Sequence, residues 1–194
     1  MILTGSKFEE IGKKVCTKID LESGEELSAK LFKELSKAKN GIGLSAPQIG
    51  ESKRVCVVNV KYPINFINPK ITESEGEIVY VEGCLSYPDM GVRTKRFTRI
   101  VVEADNFDEP TEFKVGDDYD TLECICIQHE IDHLDGILMF DRFTKLEPIV
   151  SKTKIGRNEI VSITNNEEIK TLKYKKALPL LNSGDWQFTN SEVV

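Results

Sequence analysis

Hydrophobic and polar positions follow two different periods along this chain, and these periods predict its elements. Across residues 24–39, leucine and phenylalanine recur every three or four positions opposite lysine and glutamate, which is typical of a half-buried helix. We expect Ser23 or Ser28 to cap this helix and Asn40-Gly41 to end it. Short apolar runs rich in β-branched residues predict strands at residues 54–60, 65–71, 77–81 and 98–104.

A second helix is predicted from about Asp120 to Leu134. Asp120 and Glu123 resemble a capping box, and Asp135-Gly136 is expected to end the helix. The pattern weakens beyond Lys145, where residues 151–176 are expected to form short strands or an irregular tail. This order of elements favours an α+β fold with mostly antiparallel sheets around a central helix.

Composition narrows the class of protein. The chain has 194 residues, 40% apolar and 30% charged, which excludes a disordered chain, a collagen or a disulfide-stapled miniprotein. No run of about 18 apolar residues predicts a transmembrane helix. The net charge of -6 argues against dedicated nucleic-acid binding. The N-terminus has neither a signal-peptide nor a transit-peptide pattern, so we expect a cytoplasmic protein with reduced thiols.

Candidate chemistry begins with the only two histidines, His129 and His133, which lie four residues apart on the second helix. Positions i and i+4 share a helix face, so both imidazoles point at one spot, with Glu130 beside them. This spacing predicts a metal site. A catalytic site also needs a third protein ligand and an open coordination position.

The third ligand is a cysteine or a carboxylate, because the chain has no other histidine. Cys126 shares the helix face but lies about 10.5 Å from His133 along the axis, too far for one ion. Cys84 follows a predicted strand and lies beside Gly83. The spacing alone leaves open whether Cys84 is the third ligand. The remaining thiols are expected in the core: Cys16, Cys56 and Cys124.

A glycine-rich segment, residues 41–50, follows the first helix. It lacks the Gly-Lys-Ser/Thr ending of a phosphate-binding loop, and its glycines do not fit dinucleotide spacing. Small residues followed by Gln48 indicate a backbone that lies against a ligand, with the amide side chain donating into the site.

Taken together, three segments resemble the motifs of the peptide deformylase family. They are residues 41–48, residues 82–86 (Glu-Gly-Cys-Leu-Ser) and residues 128–134 (Gln-His-Glu-Ile-Asp-His-Leu). Their order and rough spacing also agree, over about residues 25 to 140. The resemblance implies that Cys84, His129 and His133 hold the metal.

The resemblance also implies roles for other residues. Glu130 would be the general base, and the Gln48 side chain and the Leu85 backbone N–H would form the oxyanion hole. Ile42 and Gly43 would pair with the extended substrate backbone. An apolar pocket for methionine is expected on the metal-facing side of the helix, from Leu122, Ile125 and Cys126.

The implied reaction is the hydrolysis of the N-formyl group from the formyl-methionine of newly made chains. The implied metal is Fe²⁺, with Zn²⁺, Ni²⁺ or Co²⁺ as substitutes, in a monomer without membrane or dedicated nucleic-acid binding. Residues 1–145 would form the catalytic part and residues 146–194 a divergent extension of the same domain. The lysines at 173, 175 and 176 are interpreted as solvated surface, with ribosomal contact as the weaker alternative.

Several positions depart from the family pattern. Ser45 stands where alanine is usual, and residues 87–91 lack the frequent basic residue. The stretch after Lys145 does not show the pattern of the C-terminal helix found in many members.

Two other functions compete with this one. An ordinary His-Glu-x-x-His zinc peptidase would need Glu147 or Glu159 as its third ligand, since no downstream histidine exists. A purely structural metal site would need four protein ligands and would leave Glu130 without a task.

Overall fold

The computed structural model describes residues 1–144, 158, 160–165, 168–183 and 185–188. The chain divides into two compact units, Met1–Thr144 and Lys145–Val194. The first unit contains three α-helices: α1 Ser6–Gly12, α2 Leu21–Leu35 and α3 Asp118–Leu134. Its strands are β1 Gly43–Ser45, β2 Val55–Asn59, β3 Pro63–Ile67, β4 Lys70–Glu75, β5 Ile78–Cys84, β6 Tyr87–Arg96, β7 Arg99–Glu103 and β8 Thr111–Lys114. Short 3-10 helices span Ala46–Ile49 and Met139–Arg142.

The strands of the first unit form three antiparallel sheets. Their orders are β1-β2-β3, β4-β7-β8 and a separate pair, β5-β6. In the first sheet β1 is an edge strand, so its outer edge is open to an extended chain. The α+β class with antiparallel sheets is confirmed.

Helix α3 lies at the centre of this unit and packs against β1, β2 and β8. Every residue from Glu123 to Leu134 is buried, so the helix is covered on all sides. A helix covered in this way can hold polar side chains only if each has a partner or a task.

The two predicted helices exist, and α3 ends at Leu134 before Asp135 as predicted, but the other ends differ from the prediction. The N-cap of α2 is Asp20, whose carboxylate accepts a hydrogen bond from the Ser23 N–H, and Ser28 is buried inside the helix. The helix ends at Leu35, before Asn40-Gly41. At α3 the capping acceptor is Asp117 rather than Asp120.

The predicted strands agree with the structure except where two strands were merged. The run 65–71 is divided between β3 and β4 at Asn68, whose φ of 53° turns the chain. The sequence pattern does not predict α1, β1, β6 or β8. Strand β6 lacks the apolar run by which a strand is predicted, because it carries Arg93, Lys95 and Arg96.

In its described residues, the second unit contains the antiparallel sheet β10-β9-β11 and one helix. Its elements are β9 Ile160–Thr164, β10 Ile169–Lys173, α4 Tyr174–Ser183 and β11 Gln187–Phe188. The two strands agree with the expected short strands, whereas α4 is a helix that the sequence analysis did not predict. None of the helices in the described ranges is long and apolar enough to span a membrane.

Candidate active site

Helix α3 brings His129, Glu130 and His133 together at its buried C-terminal half. The two imidazole rings lie one turn apart, with centroids 4.6 Å apart and an edge-to-face angle of 81°. His133 is further held by Phe8, whose ring packs edge-on against it at 5.2 Å. Packing therefore fixes the direction of both imidazoles.

Cys84 meets these histidines from the end of β5. The pairing of β5 with β6 shifts register between Gly83 and Cys84, which turns the thiol toward the helix. Its Sγ lies 3.4 Å from Nε2 of His133. One ligand atom from each of Cys84, His129 and His133 lies within 4.8 Å of the others, and all three residues are buried.

A chain of buried charges orients His129. Its Nδ1 lies 2.7 Å from Oε2 of Glu82, which accepts the N–H and leaves Nε2 to face the cluster. Arg96 donates to both oxygens of Glu82, at 2.5 and 2.8 Å, and also to Asp132. Arg142 holds both oxygens of Asp132 from the other side.

Hydrogen bonds and neighbouring charges keep Glu82 and His129 in their charged forms. Burial alone would raise the pKa of Glu82, but the hydrogen bonds from Arg96 and His129 lower it to about 2. For His129 burial acts in the opposite direction and lowers the pKa, but the hydrogen bonds with Cys84 and Glu82 raise that pKa to about 10. A metal ion bound here would displace the proton on Nε2 of His129, whereas the Nδ1 proton donated to Glu82 would stay.

Glu130 lies beside the cluster as a buried carboxyl group. Burial raises its pKa to about 7. Among the described residues, its Oε2 has no hydrogen-bond partner. An unpaired buried carboxylate is costly to fold around, so this oxygen is available for a task rather than for stability.

These residues fit a catalytic metal ion. One thiolate and two imidazoles are a suitable donor set for a divalent transition metal, and three protein ligands leave one coordination position open. The orphaned oxygen of Glu130 is a ready acceptor for a water in that position. Cys126 is not part of this cluster.

Gln48 approaches Cys84 from the 3-10 helix that follows β1. Its Oε1 accepts from both the N–H and the hydroxyl of Ser45, at 2.8 and 2.9 Å. Because an N–H can only donate, this contact fixes which end of the amide is oxygen. The Nε2 group then faces Cys84 Sγ at 3.6 Å and Ser86 Oγ at 3.2 Å.

A cavity of about 530 Å³ opens beside this cluster. Its lining includes these sequence-predicted residues: Ile42, Gly43, Cys84, Leu85, Leu122, Ile125, Cys126, His129 and Glu130. Gln48 and His133 are buried and are not among its lining residues. A Cβ placed on Gly43 would lie 2.6 Å from both Cys126 Sγ and Glu130 Oε1, so a larger residue there would require these two side chains to shift.

Comparison with known proteins shows what this chain is similar to. The model of the family described as polypeptide deformylase matches residues 7–148. The peptide deformylase of Heliobacterium modesticaldum is 50% identical over 112 residues, which cover 57% of this chain and 72% of that protein. The chain belongs to the peptide deformylase family.

Solved structures give the same family. The crystal structure of a peptide deformylase from Legionella pneumophila has a TM-score of 0.63 and 34% identity, covering 75% of this chain and 86% of that one. A Met-ala-ser bound peptide deformylase from Acinetobacter baumannii has a TM-score of 0.63 and 25% identity, covering 74% and 97%. The protein is therefore a peptide deformylase, a metal-dependent hydrolase that removes the N-formyl group from nascent formyl-methionyl peptides.

The deformylase site also contains residues to which the sequence pattern assigns no role. Tyr80 and Glu82 line the cavity from β5, and Arg96 and Asp132 support Glu82 from behind. Tyr80, Glu82 and Cys84 follow the period of two along one strand, which could have placed them on one face. The alternative third ligands, Glu147 and Glu159, lie outside the described residues.

Proposed function

We propose that Cys84, His129 and His133 hold one catalytic divalent ion and that Glu130 works beside it as the general base. The observation that carries this proposal is the buried triad with the unpartnered carboxylate oxygen of Glu130 next to it. A divalent ion held there supplies Lewis acidity, which lowers the pKa of a water it binds and polarises the formyl group.

Glu130 moves the proton in this scheme. It accepts a proton from the attacking water as the new carbon–oxygen bond forms at the formyl carbon. It then passes that proton to the amine as the carbon–nitrogen bond breaks, which yields formate and a free N-terminus. Burial raises the pKa of this carboxyl group, which favours its holding the proton and returning it to the amine.

Gln48 and Leu85 are proposed as the donors for the negative charge that develops on the formyl oxygen. The fixed amide of Gln48 already directs Nε2 toward Cys84. Leu85 follows Cys84 directly in the sequence, so its backbone N–H belongs to the peptide group that joins the two residues. One donor of this kind is typically worth about 3 kcal/mol, or roughly a hundredfold or more in rate.

The substrate backbone is proposed to extend along Ile42 and Gly43, at the open edge that β1 offers. Leu122, Ile125 and Cys126 come from successive turns of α3 and give the cavity an apolar wall. Burial holds the pKa of Cys126 well above its ordinary value, so it acts as a small apolar group there. This wall suits the methionine side chain.

We further propose Fe²⁺ as the native ion, with Zn²⁺, Ni²⁺ or Co²⁺ able to substitute. The thiolate and imidazole donors accept each of these ions, and a thiolate ligand makes an iron site sensitive to oxidation.

Residues 1–145 are proposed as the catalytic part and residues 146–194 as an extension of it. The setting is proposed as a cytoplasmic monomer, and the exposed Lys173, Lys175 and Lys176 as solvated surface rather than a ribosome contact.

The test is formate release from formyl-Met-Ala-Ser by the purified protein, prepared anaerobically and loaded with Fe²⁺. Formate is expected from this peptide, while unformylated Met-Ala-Ser stays intact. Glu130→Gln is expected to bind the ion normally and to lose about 10²- to 10⁴-fold in kcat, because the proton acceptor is gone. Cleavage of internal peptide bonds with formyl groups untouched would overturn the proposal, as would retained turnover in Glu130→Gln.

A further inference from the structure

The N-terminal strap, residues 2–5, makes hydrogen bonds to two of the segments that carry the site. The N–H of Leu3 donates to the carbonyl of Gln48 at 2.7 Å. Two residues later, the N–H of Gly5 donates to the carbonyl of Ser86 at 3.0 Å. The strap thus touches the backbone of both proposed oxyanion segments.

These two segments belong to different sheets. Gln48 lies in the 3-10 helix that follows β1, in the sheet β1-β2-β3. Ser86 lies in the turn between β5 and β6, which form a sheet of their own. No ladder of strand pairing joins them, so their separation depends on the contacts of Gln48 Nε2 with Cys84 and Ser86 and on what packs across both segments.

Side chains of the strap pack in both directions. Ile2 packs against the apolar cluster that contains Leu44 and Ala46, whereas Leu3 packs against the cluster that contains Cys84 and Tyr87. The strap therefore contacts each segment through both its backbone and its side chains.

Helix α1 anchors the end of the strap beside the metal ligands. Phe8 is fully buried and packs edge-on against His133 and, at 6.0 Å, against Tyr87. The hydroxyl of Tyr87 donates to Glu9 at 3.2 Å. These contacts of Phe8 and Glu9 with Tyr87 hold the start of α1, and with it the end of the strap, next to Ser86.

We propose that residues 2–5 are positioning residues that set the distance between the two oxyanion donors, Gln48 Nε2 and the Leu85 N–H. This rests on the roles proposed for those two donors. The donors come from segments in separate sheets, and the strap bonds to Gln48 itself and to the residue after Leu85. Loss of a strap bond shifts one donor relative to the other, which weakens transition-state stabilisation while substrate binding along β1 is retained.

The test compares Leu3→Pro with Leu3→Ala in the full-length, Fe²⁺-loaded protein. Both variants lose the leucine side chain, but only proline also lacks the backbone N–H that donates to the Gln48 carbonyl. We expect kcat for formyl-Met-Ala-Ser to be about tenfold lower in Leu3→Pro than in Leu3→Ala, part of what a lost donor costs. KM and the bound metal per chain are expected to be equal in the two variants.

An amide-to-ester change at Leu3, made by semisynthesis, gives the second measurement. It removes the N–H and keeps the side chain, so it applies even where Leu3→Pro does not fold. Equal kcat in the ester and in the unmodified protein would overturn the proposal, as would a folded Leu3→Pro within about twofold of Leu3→Ala. Failure of the unmodified protein to release formate would instead contradict the proposed function.

Discussion

At the scale of single residues, Gly43 shows how closely the backbone approaches the chemistry. A methyl group there would lie 2.6 Å from Cys126 Sγ and Glu130 Oε1, a distance that real Cβ atoms do not reach. We expect Gly43→Ala to lower kcat/KM at least tenfold, because Glu130 must move and a displacement of about 1 Å can cost a hundredfold. Metal content is expected to stay unchanged.

Gly91→Ala is the matched control for that change. A Cβ at Gly91 meets Val81 at an ordinary 3.4 Å, and its φ does not favour glycine. Formate-release kinetics of both variants check the prediction. If Gly43→Ala is as active as Gly91→Ala, the close approach at Gly43 has no part in catalysis.

Two cysteines near the site are expected to differ in their effect on the metal. Cys84 lies in the buried triad, whereas Cys126 lines the cavity with a thiol whose pKa burial holds well above its ordinary value. Cys84→Ser should weaken metal affinity at least tenfold, because a hydroxyl is a poor substitute for a thiolate ligand. Cys126→Ser should leave affinity within about twofold. Metal titration of each purified variant measures this, and the reverse order would overturn the ligand assignment.

Much of the candidate site could be predicted from residue spacing, and the reason is local geometry. His129 and His133 share a helix face at any tertiary placement, so their convergence needed only the helix. Cys84 was different, because a strand end and a helix meet through long-range packing that spacing does not specify. The resemblance to a family supplied that contact, and the support behind His129 from Glu82, Arg96 and Asp132 was missed altogether.

At the scale of elements, the missed strand β6 has a physical explanation. It places Arg96 in the interior, where the residue is only 4% exposed. A buried arginine breaks the apolar alternation on which strand prediction depends. It is stable there because two carboxylates, Glu82 and Asp132, surround it.

The same arginine joins β5, β6 and α3, and its loss should be felt across all three. Arg96→Ala leaves Glu82 and Asp132 as buried carboxylates near each other, so we expect the free energy of unfolding to fall by about 3–5 kcal/mol. Arg96→Lys should recover part of this, since it keeps the charge but not the three-way fork. Urea unfolding of the purified variants measures the change.

Arg93 provides the control on the same strand. It lies on the opposite face of β6 and is half-buried. Arg93→Ala is expected to cost less than about 1 kcal/mol. A loss in Arg96→Ala no larger than that in Arg93→Ala would contradict the role of Arg96 as the link between these elements.

At the scale of the whole molecule, the proposed site draws on one part of the chain. The triad, Glu130, the proposed oxyanion donors and the described cavity lining lie within Met1–Thr144, and the family model matches residues 7–148. The second unit has its own sheet and its own helix, α4. The sequence pattern left short strands or an irregular tail for residues 151–176 and did not predict α4, because Pro179 lies inside that helix and lowers its helix propensity.

A chain that ends after Pro148 is therefore expected to keep the reaction. It retains the triad, Glu130, the oxyanion donors and the whole cavity lining. We expect kcat and KM for formyl-Met-Ala-Ser within about twofold of the full chain, with the same bound metal per chain. Steady-state kinetics and metal analysis of the two chains measure this. Adding Glu130→Gln to the short chain is the control, and it should lower kcat by about 10²- to 10⁴-fold, as expected for the full chain. A large rise in KM with kcat unchanged would assign residues 149–194 to substrate binding, and a loss of bound metal would assign them to the stability of the site. Either result would contradict a catalytic part that ends near residue 145.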